Sequence, residues 1–116
     1  MIFQLKPVEL PNDLSEWSHP DLELIDPLAH NDEEGRTYTD EEWKQLQENG
    51  GINIQVETRD LIEIGSELKS RGLPAMGFDN GWKPIPPTDN HFLIAFYSDE
   101  DGYVYLWWAE QRKELV

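Results

Sequence analysis

The chain has no cysteine, few basic residues and no long hydrophobic run. Without cysteine there is no disulfide framework, no thiolate metal site and no cysteine nucleophile, and the composition fits a reducing compartment. Only 9 Lys and Arg stand against 24 Asp and Glu, a formal charge of −15. Binding to phosphate backbones depends on Lys and Arg displacing counterions, so this balance argues against nucleic acid and anionic membrane surfaces as direct ligands. No segment reaches the roughly 18 consecutive apolar residues of a membrane-spanning helix, and Met1–Pro7 lacks the basic and apolar regions of a secretory signal. The expected location is cytoplasmic.

Catalytic signatures are equally sparse. There is no G-x-S-x-G elbow, Ser18-His19 is a bare dipeptide, and Gly50-Gly51 lacks the Lys-Ser/Thr continuation of a phosphate loop. A pair of carboxylates suited to acid–base work cannot be singled out from 24 acids. The chain reads as a non-enzyme without a cofactor. His19, Asp21, Asp26, His30, Asp32 and Glu33 mix imidazole with carboxylate, but at no spacing that defines a metal site. They carry the alternative reading, a metal-dependent enzyme or regulator using His19 and His30. Asp99-Glu100-Asp101-Gly102 has the composition of a calcium loop, yet its glycine follows the first acid by three residues rather than standing at position 6. A turn is the better reading.

What is present is enough to fold. Leu, Ile, Val and Phe number 29 of 116 residues, above the roughly one-fifth below which disorder prevails. The length suits one domain over 1–116. Charge and aromatics are unevenly placed: residues 1–51 hold 13 acids and 3 bases, while Phe92, Phe96, Trp107 and Trp108 crowd the last third.

Residues 2–5 suggest a short first strand, and 7–36, broken by Pro11, Pro20 and Pro27, an irregular stretch in which Leu22, Leu24 and Ile25 allow a further strand. Thr39 and Glu42 form a capping-box pair, acids at 40–42 suit the positive helix end, and Asn49-Gly50-Gly51 stops a helix over 39–51. Trp43 and Leu46 are its apolar anchors. Ile52, Ile54 and Val56 alternate with polar residues as in a half-buried strand over 52–57. Leu61, Ile64 and Leu68 favour a helix over a returning hairpin strand, although Gly65 costs about 1 kcal/mol relative to Ala. Residues 72–90 read as a long loop. The runs His91–Ser98 and Tyr103–Ala109 form a hairpin, with Gly102 in the left-handed position of its turn. The second run is apolar on both faces, so its strand is either covered twice or shows one face to a partner. The expected fold is α+β, an antiparallel sheet including this C-terminal hairpin, packed by one or two helices.

Three clusters of three acids remain: Asp32, Glu33 and Glu34; Asp40, Glu41 and Glu42; Asp99, Glu100 and Asp101. Self-repulsion at this net charge lowers stability, and a function that uses the field accounts for retaining it. The leading expectation is a non-catalytic protein that neutralises a basic protein partner, foremost an immunity protein against a bacterial nuclease toxin, whose substrate groove must be basic. The clusters would steer and pair with Lys and Arg, while Trp43, Trp82 or Tyr103 would serve as desolvated anchors. A phage-encoded DNA mimic blocking a restriction or CRISPR effector is the alternative within the same class. A homodimer formed through the C-terminal hairpin is a further expectation.

Overall fold

The structure is a computed structural model and describes residues 3–27, 38–73 and 81–112. Its elements are β1 (Trp17–Ser18), α1 (Leu22–Ile25), α2 (Asp40–Gly50), β2 (Ile52–Asp60), α3 (Leu61–Ser70), β3 (His91–Ser98) and β4 (Tyr103–Gln111). The strands form one antiparallel sheet in the order β1-β3-β4-β2, so the fold is α+β with the C-terminal hairpin at its centre. Among the described residues no helix is long and apolar enough to cross a membrane.

The hairpin turn follows from its residues. Gly102 takes φ 89°, closed to most side chains, and Asp99 N–H donates to Tyr103 O at 3.0 Å. The pairing slips by one residue between Leu93 and Ala95, so Ile94 is an extra residue in β3. This bulge sends both Ile94 and Ala95 to one side of the sheet, while Leu93 and Phe96 face the other.

Both faces are covered. On one, Ile64 and Leu68 of α3 pack with Leu14 and Trp82 against Leu93, Phe96, Val104, Leu106 and Trp108. On the other, Ile25 and Leu46 from α1 and α2 pack against Ile94, Ala95, Trp107 and Ala109. The two-sided apolar pattern of β4 therefore marks a central strand. That position also removes the route to dimerisation through the hairpin's β4 edge, because β2 pairs with β4 from Ile52↔Gln111 to Asp60↔Tyr103.

Helix α2 forms as its caps require. Thr39 Oγ1 accepts from Glu42 N–H at 3.2 Å, Glu42 Oε1 accepts from Thr39 N–H at 3.0 Å, and Gly51 ends the helix at φ 60°. Strand β2 runs on to Asp60 rather than ending at Glu57, because its register with β4 continues to the hairpin turn. Asp60 then caps α3, accepting from Ile62 N–H at 2.7 Å. Residues 61–70 are helical and not a returning strand, the Asp60 cap and the helical spacing that buries Ile64 and Leu68 together favouring the helix.

Two expectations for the N-terminal region do not hold. Residues 22–25 form one helical turn, closed by Asp26 N–H donating to Leu22 O at 3.1 Å. Ile25 is buried while Leu24 stays 72% exposed, so the apparent alternation came from a turn that buries only one of its apolar side chains. The 3–5 segment makes no strand: Leu5 is buried, and its N–H donates to Gly50 O at 2.8 Å, the end of a helix rather than a sheet ladder. The irregular stretch expected over 7–36 contains β1, which pairs with Phe96 and Ala95 of β3.

Candidate functional site

Pairing across the sheet decides which aromatic side chains share a face. Val56↔Trp107, Thr58↔Tyr105, Tyr97↔Tyr105 and Ala95↔Trp107 are direct partners, so these residues all point toward the α2 side. Leu46 seats the helix over the Ile52 end of that face. The remainder, toward the hairpin turn, is a shallow groove of about 440 Å³ lined by Tyr38, Thr39, Asp40, Trp43, Val56, Tyr97 and Trp107.

The rings in and beside it form a continuous array. Trp43 stands edge-on to Trp107 with centroids 4.9 Å apart, Trp107 meets Tyr97 at 6.1 Å, and Tyr97 stacks on Tyr105 at 5.1 Å. Such contacts add about 0.5–1.5 kcal/mol each beyond area burial, so the array is rigid where a loop-borne surface would not be. Tyr38 closes one side, 5.7 Å from Trp43, and its hydroxyl donates to Asp26 Oδ2 at 2.8 Å. Burial, and then that carboxylate, push the Tyr38 phenol well above its usual range.

Carboxylates stand at both ends of the array. Trp43 follows directly on Asp40, Glu41 and Glu42 in the first turn of α2. At the other end the Tyr105 hydroxyl donates to Asp99 Oδ2 at 2.5 Å. This bond raises the Tyr105 phenol to about 12 and, with the Tyr103 N–H, lowers the Asp99 carboxyl. Two acidic clusters separated by more than fifty residues in sequence thus flank one aromatic surface.

The acids differ in what they are free to do. Asp99 also accepts from Asp101 N–H at 2.9 Å and Tyr103 N–H at 3.0 Å, so its carboxylate is engaged in building the turn. Glu42 is engaged in the capping box. Asp40, Glu41, Glu100 and Asp101 are exposed. Tyr103, 46% exposed, lies beyond Tyr105 on the same face. Asp32, Glu33, Glu34 and His30 lie outside the described residues.

Trp82 is not a surface anchor. It is 1% exposed, packs at 6.1 Å against Phe96, and its indole donates to Glu67 Oε2 at 2.9 Å, so the 81–90 segment delivers it to the core beneath α3. His19 is also inward. It is 2% exposed; Nδ1 accepts from Asp21 N–H at 3.0 Å and Nε2 lies 2.6 Å from Lys6 O. A backbone N–H can only donate and a carbonyl can only accept, so the ring carries its proton on Nε2 and both nitrogens are engaged by backbone. Neither is left for a metal. Among the described residues no group of three or more His, Asp or Glu side chains is placed to hold a cation.

Tyr38 and Tyr97 were not singled out from the sequence. Counting back from the Gly102 turn sets Tyr97 opposite Tyr105, which is the signal that reveals the stacked pair. No family model matches this chain, and neither the curated proteins nor the solved structures yield a match.

Proposed function

We propose that the protein is a non-catalytic acidic binder that neutralises a basic protein partner through the aromatic groove and its carboxylate margins. The observation that carries this reading is the placement of the Asp40–Glu42 and Asp99–Asp101 clusters at opposite ends of the Trp43–Trp107–Tyr97–Tyr105 array. Rigid aromatic faces supply desolvated contact area, and nearby carboxylates select guanidinium and ammonium groups, which also stack on indole and phenol rings. A net charge of −15 accelerates encounter with a basic surface and weakens its hold as salt screens the field. Among basic proteins, a nuclease domain is the foremost candidate, since its own substrate requires a positive groove. The protein acts as an immunity protein in this reading, in the same compartment as the toxin it restrains.

The DNA-mimic alternative gains less support. It calls for carboxylates spaced along a face like phosphates, whereas the carboxylates that border the groove form two local clusters with aromatic rings between them.

The reading is tested on purified nuclease-toxin domains, taken first from genes adjacent to the one encoding this chain. Stoichiometric loss of nuclease activity on adding the protein, relieved as salt rises toward ~1 M where the screening length is about 3 Å, is the expected result. Unchanged activity of every such domain at low salt overturns it.

A further inference from the structure

Strand β2 is an edge strand, and its hydrogen-bonding directions can be assigned. Arg112 N–H donates to Gly51 O at 2.9 Å just before β2, and Leu61 N–H donates to Gly102 O at 3.0 Å just after it. The odd-numbered residues of β2 therefore bond to β4, and Ile54, Val56 and Thr58 turn their N–H and C=O outward. The first of these is closed by the chain itself: Gln47 Oε1 of α2 accepts from Ile54 N–H at 2.8 Å. Val56 and Thr58 have no such cover among the described residues, and Val56 is 44% exposed at the lip of the aromatic groove.

We propose that this open stretch of β2 receives an extended, basic segment of the partner as a fifth strand, paired to the backbone of Val56 and Thr58. The proposal rests on the reading of a basic partner given above and names how that partner is held. Backbone pairing supplies register, and alternate side chains of the added strand fall on the α2 side, beside Trp43 and Asp40. A guanidinium there meets an indole face and a carboxylate together. A second copy of this chain fits the same edge poorly, since each copy brings a charge of −15 to the contact. Charge complementarity therefore selects a cationic strand.

The probe is a peptide of alternating arginine and valine with the 9-residue length of β2, used beside a version N-methylated at every backbone nitrogen. Charge and side chains are the same in both; only the first can pair as a strand. Binding by the first, slower amide exchange at Val56 and Thr58, and about tenfold weaker binding by the second are expected. On the protein side, Thr58→Pro removes an outward N–H without removing a bond to β4, which edge strands tolerate. It should keep the circular dichroism of the parent and weaken the peptide about tenfold. Val56→Lys, which sets a cation at the lip, should do the same should the proline disturb the strand.

Equal binding of both peptides, or unchanged binding by both variants, overturns strand addition while leaving charge-driven capture of a basic partner intact. Loss of binding on neutralising Asp40 and Glu41, with Thr58→Pro without effect, likewise separates the two. A dimer in light scattering that Thr58→Pro dissociates shows the edge to be filled by a second copy and overturns the proposal.

Discussion

The indole of Trp43 meets that of Trp107 nearly at a right angle, 83°, with ring centroids 4.9 Å apart. Trp107 is a sheet residue 9% exposed, whereas Trp43 is half-buried on the first turn of α2. One face of Trp43 is thus structural and the other borders the groove. Trp43→Ala should destabilise the fold by about 2 kcal/mol, less than the ~3–5 kcal/mol of deleting a fully buried aromatic. Urea unfolding measures it, and the near-ultraviolet dichroism of the coupled indoles should weaken with it. An unchanged midpoint and spectrum would show that the helix is not seated through this pair.

Alkaline stability should depend on Tyr105. Its folded phenol titrates at about 12, above the ordinary 10.0, because its proton is shared with the Asp99 carboxylate. Below pH 10 both states hold the proton and the contribution is complete. Between about 10 and 12 the unfolded chain releases it first, so stability falls as pH rises. Tyr105→Phe should flatten this decline in thermal unfolding midpoints, and Asp99→Ala should move the Tyr105 titration, followed by absorbance, down toward 10. Identical slopes in parent and Tyr105→Phe would refute the coupling. Tyr38, raised further still, adds a decline of its own that is present in both.

His19 should prove structural. Its two nitrogens bridge Lys6 O and Asp21 N–H, fastening the N-terminal segment to the residue preceding α1. His19→Ala leaves both backbone groups without these partners, at roughly 1–3 kcal/mol each where water cannot replace the ring. The measurements are denaturant unfolding and the nitrogen-15 shifts of the imidazole, which should report the Nε2–H tautomer. Tight zinc binding lost in this variant would contradict the assignment.

The parts of the fold that were legible share a local cause. The α2 caps, the Gly102 turn and the two aromatic strands are each specified within a few residues, by a side chain closing a backbone bond or by a φ suited to glycine. What was hidden depends on tertiary placement. Leu22–Ile25 carries strand-like residues, but one helical turn buries Ile25 in the cluster that holds Leu46 instead. Trp82 sits between Gly81 and Lys83 in a segment with polar and proline neighbours, and nothing local shows that Glu67 and Phe96 enclose it. The candidate site was half visible. Its acids and Trp43 stand out by composition, but their assembly with Tyr97 and Tyr105 requires the register of β3 on β4.

The last prediction concerns the face turned away from the groove. Trp108, 2% exposed, donates its indole N–H to Glu57 Oε1 at 2.9 Å. Arg59 lies on the same face of β2 and bonds Glu63 of α3 at 2.8 Å. Burial opposes the Arg59 charge, yet the Glu63 bond and the charges of Glu67, Glu63 and Glu57 outweigh it and hold the guanidinium protonated. Arg59 thus joins β2 to α3, while Glu57 ties β2 to the Trp108 indole of β4. Glu57→Val suits a strand but removes the acceptor from a buried N–H, and should cost about 1–3 kcal/mol. Glu57→Gln keeps a carbonyl for the indole and should cost under about 1 kcal/mol. Because Glu57 faces away from Trp43 and Tyr97, Glu57→Gln should leave binding of the arginine–valine peptide within about twofold of the parent, a rim charge being worth little. Chemical unfolding and peptide titration on the same samples decide it. A large loss of binding in Glu57→Gln with stability retained would place the interacting surface on the α3 side of the sheet instead.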